Sequence, residues 1–250
     1  MTRDELKEYL DFKAEQYESP SFIESDPIQL PHRFDRKEDI EIVAFLVSSI
    51  SWGQRKTIIK NGERLIGIME NDPYNFILNY QSKSYNFVHR TFNSIDLDFF
   101  FRALRNIYEN HKGLESAFES LEDHPGVKGR IIRFRELFTS VEHERRSQKH
   151  LSNPAKNSAA KRLNMFLRWM VRDSKKGVDF GIWKEIKSSD LYLPLDVHTS
   201  THARNLGLLI RKQDDWKALD ELMLELRKFD PEDPVKYDFA LFGIGAFELS

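Results

Sequence analysis

Apolar residues recur at three- and four-residue intervals along almost the whole chain, a period that commits it to packed helices. The clearest case is 158–172, where Leu163, Phe166, Leu167, Met170 and Val171 fall at i, i+3, i+4, i+7 and i+8. A strongly apolar helix is expected from Lys37 to Trp52, carrying Ile40, Val43, Ala44, Leu46, Val47 and Ile50 and broken by Gly53. Thr2 is placed to cap a helix running to about Tyr17. Ser19 to Phe34, with three prolines, reads as a loop. Further helices are expected at 54–69, 95–109, 113–121, 127–142, 179–187, 197–206, 214–228 and 234–247, and a short one opens at Asp72-Pro73. Period-two alternation is rare, so strands have little support. No internal repeat and no Pro/Gly-rich linker divides the chain. The expected fold class is all-α, as one unit over 1–250 or as two interleaved helical lobes around a cleft.

A chain of 250 residues can bury a large core, and 40% hydrophobic with 31% charged residues is a globular composition. No apolar run approaches the roughly 20 residues of a membrane span. The first residues, Met1-Thr-Arg-Asp-Glu-Leu6, lack the apolar stretch of a signal peptide. The simplest reading is a cytoplasmic protein without a membrane partner. There is no cysteine, which excludes disulfides, thiolate zinc sites and iron–sulfur clusters. Nothing in the pattern specifies an oligomeric state.

The net charge of −2 hides an asymmetry. From His143 to Lys176 there are ten Lys or Arg against two acids, a local +8 that leaves −10 for the remainder. Such a stretch suits a polyanion; a solvated basic face is the alternative. Within it Lys161, Arg168 and Arg172 fall at i, i+7 and i+11, on a different face from the apolar stripe. Arginines so placed either meet a phosphate backbone or pair with acids elsewhere in the chain.

Two residues 35 apart carry the candidate chemistry. Asp196, in Leu193-Pro-Leu-Asp-Val-His198, follows a short apolar run and opens a helical pattern, where a carboxylate caps the helix. Lys161 begins the helix at 158–172 beside Arg162, facing the positive end of the helix dipole, a setting that favours the free amine. A lysine on one helix and a capping aspartate on a later one form an amine nucleophile with a carboxylate partner. Capping alone is the structural alternative for Asp196, and simple exposure for Lys161. His198 and His202, at i and i+4 near Asp196, open a metal reading, although no His-Glu-x-x-His pattern accompanies them.

The Asp196 segment, with Ala203-Arg-Asn-Leu-Gly-Leu208 after it, resembles the segment carrying the essential aspartate in the helix-hairpin-helix DNA glycosylase superfamily. That superfamily includes endonuclease III and the 8-oxoguanine glycosylases. The Asp-Val-His triplet is similar to the latter, and the Lys161–Asp196 spacing is closer to an archaeal branch of them. Ser48-Ser-Ile-Ser-Trp-Gly-Gln-Arg-Lys56 resembles the superfamily's early turn between two helices, with Gln54 at the position near the lesion. The closing Asp233-Pro-Val-Lys-Tyr-Asp-Phe-Ala-Leu-Phe-Gly-Ile-Gly245 looks like the last helix of that branch. Taken whole, the chain resembles an uncharacterised bacterial family bordering these enzymes.

The resemblance implies a DNA repair glycosylase acting on double-stranded DNA, with AP-lyase activity and no metal or organic cofactor. A damaged base, an oxidised purine in the nearest branch, is flipped from the stack. Lys161 attacks the sugar, and Asp196 stabilises the developing positive charge. Arg162, Arg168, Arg172 and His198 hold phosphates, and Gln54 fills the gap left in the duplex. Asp238 and Phe242, at i and i+4 on the last helix, are candidates for base recognition by hydrogen bond and stacking, with a place in the core as the alternative for Phe242. Two departures stand out. The hairpin glycines of Leu-Pro-Gly-x-Gly are missing from Ser152-Asn-Pro-Ala-Lys-Asn-Ser158, where Asn153 or Asn157 is expected to supply a left-handed position. Lys156, five residues before Lys161, is the alternative nucleophile or a phosphate contact. Two other functions stay open: a non-catalytic nucleic-acid-binding protein of the same fold, and a metal-dependent hydrolase using Asp196, His198 and His202.

Overall fold

A computed structural model describes residues 1–120, 122–123, 125–173 and 175–244. The described chain is mostly helical. Its α-helices are Arg3–Tyr17 (α1), Pro20–Ser25 (α2), Lys37–Ser49 (α3), Arg55–Ile68 (α4), Pro73–Leu78 (α5), Ser94–Asn110 (α6), Leu114–Ala117 (α7), Gly126–Thr139 (α8), Lys161–Val171 (α9), Val197–Asn205 (α10), Trp216–Phe229 (α11) and Tyr237–Gly243 (α12). Between α5 and α6, Val88–His89 (β1) and Phe92–Asn93 (β2) form a small antiparallel pair with His89 opposite Phe92. Among the described residues no helix is long and apolar enough to cross a membrane.

Local chemistry accounts for most helix starts. Thr2 and Glu5 make a reciprocal capping box on α1, and Asn93 and Asp96 make another on α6. Asp215 caps α11 through the Ala218 amide. Pro20, Pro27, Pro31 and Pro73 each open a short helix or 3-10 turn, so the stretch expected as a loop before Phe34 is mostly short helical turns. Proline suits a first helical position because that N–H has no helical partner to lose.

The helix expected at 179–187 is absent. Phe180 N–H donates to the Trp169 carbonyl at 2.8 Å, and Trp183 N–H donates to Met170 at 2.9 Å. The segment therefore satisfies carbonyls at the end of α9 instead of its own, and Gly181 takes a positive φ of 59°. It buries Trp183 and Ile186. At the other end, the expected helix from 234 is a 3-10 turn, Pro234–Lys236, followed by α12, and its last residues, 245–247, lie outside the described residues.

The chain divides into two compact units, Met1–Glu24 with Pro154–Ser250, and Ser25–Asn153. The second is built around α3, which is buried from Asp39 to Ser49. Phe45 stacks on Phe100 at 5.8 Å and meets Phe134 and Phe138, while Phe118 stacks on Phe134 at 4.2 Å. Each buried ring contributes about 2–3 kcal/mol. In the first unit α1 lies against α12, and Gly243 allows that approach: a Cβ there would run into the Tyr17 ring. The apolar stripe of α9 faces inward as its spacing requires, with Trp169 buried beside it.

Candidate active site

The candidate site lies in the first unit. Leu193, Pro194 and Leu195 are buried and anchor the chain just before α10. Asp196 then takes an extended conformation (φ −129°) and caps the helix. Its Oδ1 accepts from the His198 amide at 3.0 Å and the Thr199 amide at 2.9 Å. That leaves Oδ2, which accepts from Lys161 Nζ at 2.7 Å. The carboxylate is thus oriented on one oxygen by a helix terminus and offered on the other to the amine. Both side chains keep solvent access, 37% for Lys161 and 19% for Asp196.

Burial pushes the Asp196 carboxyl up, but the Lys161 ammonium, the Thr199 amide and His198 outweigh it and hold it below the usual carboxylate range. Asp196 is therefore ionised at neutral pH. Such a group stabilises positive charge that develops beside it.

Lys161 is presented by a turn built without glycine. Pro154–Lys156 forms a 3-10 turn, and Asn157 follows with φ +65°. Asn157 Nδ2 donates to Asp215 Oδ2 at 2.7 Å, and the Asn157 carbonyl accepts from the Trp216 amide at 3.0 Å, tying the turn to the start of α11. A second left-handed residue is Ala160 (φ +48°), which immediately precedes Lys161. Asparagine tolerates this region; alanine enters it at a cost of about 1–2 kcal/mol. Asn153, the other candidate for a left-handed position, does not take one.

Two of the expected phosphate-holding arginines are corrected by their surroundings. Arg168 and Arg172 are each only 4% exposed. Arg168 pairs with Asp179 at 3.2 Å and closely with Asp238. Arg172 reaches Glu18 at 2.5 Å, Asp233 at 2.8 Å and Asp179 at 3.1 Å. The Phe239 ring lies 4.5 Å from Arg168 and 5.4 Å from Arg172. These guanidiniums hold the interior of the unit together and present no surface to a phosphate. Asp238, expected in a base pocket, belongs to the same network and is buried. Burial pushes its carboxyl up to about 6, against the pull of Arg168 and with the Asp196 charge adding to the rise. Phe242 is half-buried with its ring nearly perpendicular to that of Phe22, ring centroids 6.1 Å apart.

The remaining candidates are more accessible. His198 is exposed one residue beyond Val197, while His202 is buried. Arg162 is half-buried, and burial pulls its guanidinium down to about 10. Lys156 is exposed at the end of the 3-10 turn. Gln54 belongs to the other unit, where it is exposed and precedes α4 without capping it. Among the described residues no three His, Asp or Glu side chains group to hold a metal ion, so Asp196, His198 and His202 do not form the ligand set of the hydrolase reading. Glu18, Asp179 and Asp233 were not singled out from the sequence. The only signal for them was the acidic excess outside 143–176, which had to be balanced somewhere.

Comparison with known proteins adds one match. A family described as Protein of unknown function (DUF2400) matches residues 26–247. The chain belongs to the DUF2400 family. The match takes in Gln54, Lys161, Asp196 and Asp238, so both residues of the ion pair lie within the DUF2400 region. No curated protein and no solved structure matches this DUF2400 chain.

Proposed function

We propose that the protein is a DNA glycosylase with AP-lyase activity, in which Lys161 is the nucleophile and Asp196 its carboxylate partner, on a helix-hairpin-helix glycosylase-like fold. The observation that carries this reading is the 2.7 Å contact between Lys161 Nζ and the free oxygen of a helix-capping aspartate, on two side chains that both reach solvent. In the reaction the Lys161 ammonium first gives a proton to solvent, and Nζ, as the free amine, bonds to C1′ of the deoxyribose. The C1′–N bond to the base breaks, its electron pair leaves with the base, and the proton lost by the amine passes to the departing base. The fixed, ionised Asp196 stabilises the positive charge on the sugar. Opening of the sugar ring gives a Schiff base, from which β-elimination breaks the bond to the 3′ phosphate. A flipped nucleotide is needed for the amine to reach C1′.

The test is borohydride trapping on duplexes carrying single oxidised or alkylated bases. Borohydride reduces the Schiff base to a stable protein–DNA adduct. The expected result is an adduct with at least one lesion duplex, together with base release that Lys161→Ala abolishes. If no lesion traps and Lys161→Ala releases base as the parent does, the reading fails.

A non-catalytic nucleic-acid-binding protein is the second reading, favoured by the glycine-free turn before Lys161. It expects salt-sensitive binding without base release, and binding indifferent to salt would remove it.

A further inference from the structure

Three segments distant in the sequence converge in the unit Ser25–Asn153. One is the turn Ser51–Gln54 between α3 and α4, the second is the β1–β2 hairpin tip, and the third is the 3-10 turn Arg145–His150. The Trp52 ring lies flat against His150 at 5.9 Å and meets His89 edge-on at 4.8 Å. Asn61 Nδ2 donates to His89 Nδ1 at 2.9 Å, which leaves His89 Nε2 to donate to the Trp52 carbonyl at 3.1 Å. Arg146 donates to the Thr91 carbonyl and to Asp96 Oδ1, each at 3.0 Å, and Ser147 Oγ donates to the same Oδ1 at 2.6 Å. A polar scaffold, buried at Asn61, His89, Asp96 and Ser147, therefore fixes all three segments.

On this scaffold Arg90 is exposed at the hairpin tip. Its backbone is left-handed (φ +55°), a conformation that Gly or Asn takes readily and arginine does not. Its side chain lies over Gly53, where an added Cβ would stand 2.8 Å from Arg90 Nη1. The Arg90 side chain is therefore packed against the Ser51–Gln54 turn. Lys149, exposed, is three residues from Arg146 on the 3-10 turn and so shares its side. Exposed Lys56 lies in the first turn of α4. The large rings at this place are turned inward onto histidines, not outward as an acyl layer would require.

We infer that Arg90, Lys149 and Lys56 form a contact surface for a nucleic-acid phosphodiester backbone, with Arg90 as its central group and Arg146 bracing the scaffold beneath it. The inference rests on the nucleic-acid partner of the proposed function but not on its chemistry. Trapping and base release report the chemistry, whereas affinity reports this surface, so each can fail alone.

The test is fluorescence anisotropy of the full chain with labelled duplex DNA and duplex RNA at several salt concentrations. Arg90→Gln and Lys149→Gln are each expected to weaken binding three- to tenfold. Each lowers the slope of log affinity on log salt by about 0.9 on duplex DNA. Lys83→Gln, elsewhere on the unit, is expected to bind as the parent. Whichever of the two duplexes binds more tightly names the source of the backbone. Arg90→Gly separates contact from scaffold: relief of the left-handed strain raises the melting temperature while affinity falls. Retained affinity in Arg90→Gly, or in the Arg90→Gln, Lys149→Gln double variant, would overturn the inference. Binding of phosphatidylserine vesicles instead of either duplex, lost in the same variants, would overturn it in favour of a membrane.

Discussion

Asp196 does two jobs with two oxygens, and the jobs can be separated by one substitution. Asn caps a helix about as well as Asp, so Asp196→Asn keeps the bonds from His198 and Thr199 and removes the charge facing Lys161. The expected outcome is a stability change under about 1 kcal/mol by urea denaturation with at least a hundredfold loss of base release. Base release undiminished in Asp196→Asn would make Asp196 a cap and nothing more. Ala160 offers a second test. Its left-handed backbone is maintained by the turn around it, and strain of this kind gathers at functional sites. Ala160→Gly is expected to stabilise the protein by about 1 kcal/mol, read as a raised denaturation midpoint. At this scale the sequence was informative where a rule is local. The cap at Asp196 follows from a polar residue opening an apolar pattern, and residue type narrowed the left-handed position to Asn153 or Asn157, of which Asn157 takes it. Ala160 was not legible, because nothing in an alanine advertises positive φ; the surrounding hydrogen bonds impose it.

Along α9 the apolar face was legible and the charged face was not. The stripe from Leu163 to Val171 states its own periodicity. The partners of Arg168 and Arg172 lie between 7 and 154 residues away, so no local pattern distinguishes a phosphate contact from an internal ion pair. Burial decides it. Arg172→Ala would leave Glu18, Asp179 and Asp233 facing one another in the interior, and a loss of about 3–5 kcal/mol is expected in chemical denaturation. Asp238 gives the network a pH signature. Its carboxyl is pushed up to about 6, above the roughly 4 of an unfolded aspartate, so the fold favours its neutral form. The stability it contributes is full below about pH 4 and is lost as pH rises through about 6. Asp238→Asn imitates the neutral acid, so the variant should gain on the parent by up to about 3 kcal/mol between pH 4 and 7. A difference that stays flat across that window contradicts the assignment. The segment 179–187 shows the same limit: its composition suited a helix, but carbonyls at the end of α9 claimed its amides.

For the whole chain, the all-helical class was legible from one period repeated through 250 residues, and the small β1–β2 pair is too short to produce an alternating pattern. The charge asymmetry was legible as a sum and misleading as a surface. Of the ten cations between His143 and Lys176, Arg146, Lys161, Arg168, Arg172 and Lys176 each pair with an acid. Binding to duplex DNA should therefore be only moderately salt-dependent. Ten phosphate contacts would give a slope near −9 in log affinity on log salt, and a slope well short of that is expected by titration. The most direct measurement of the central claim is peptide mapping of the borohydride-trapped adduct by mass spectrometry. The account predicts a reduced sugar linkage on Lys161 alone. A linkage on Lys156, or a full yield of adduct from Lys161→Ala, would contradict it.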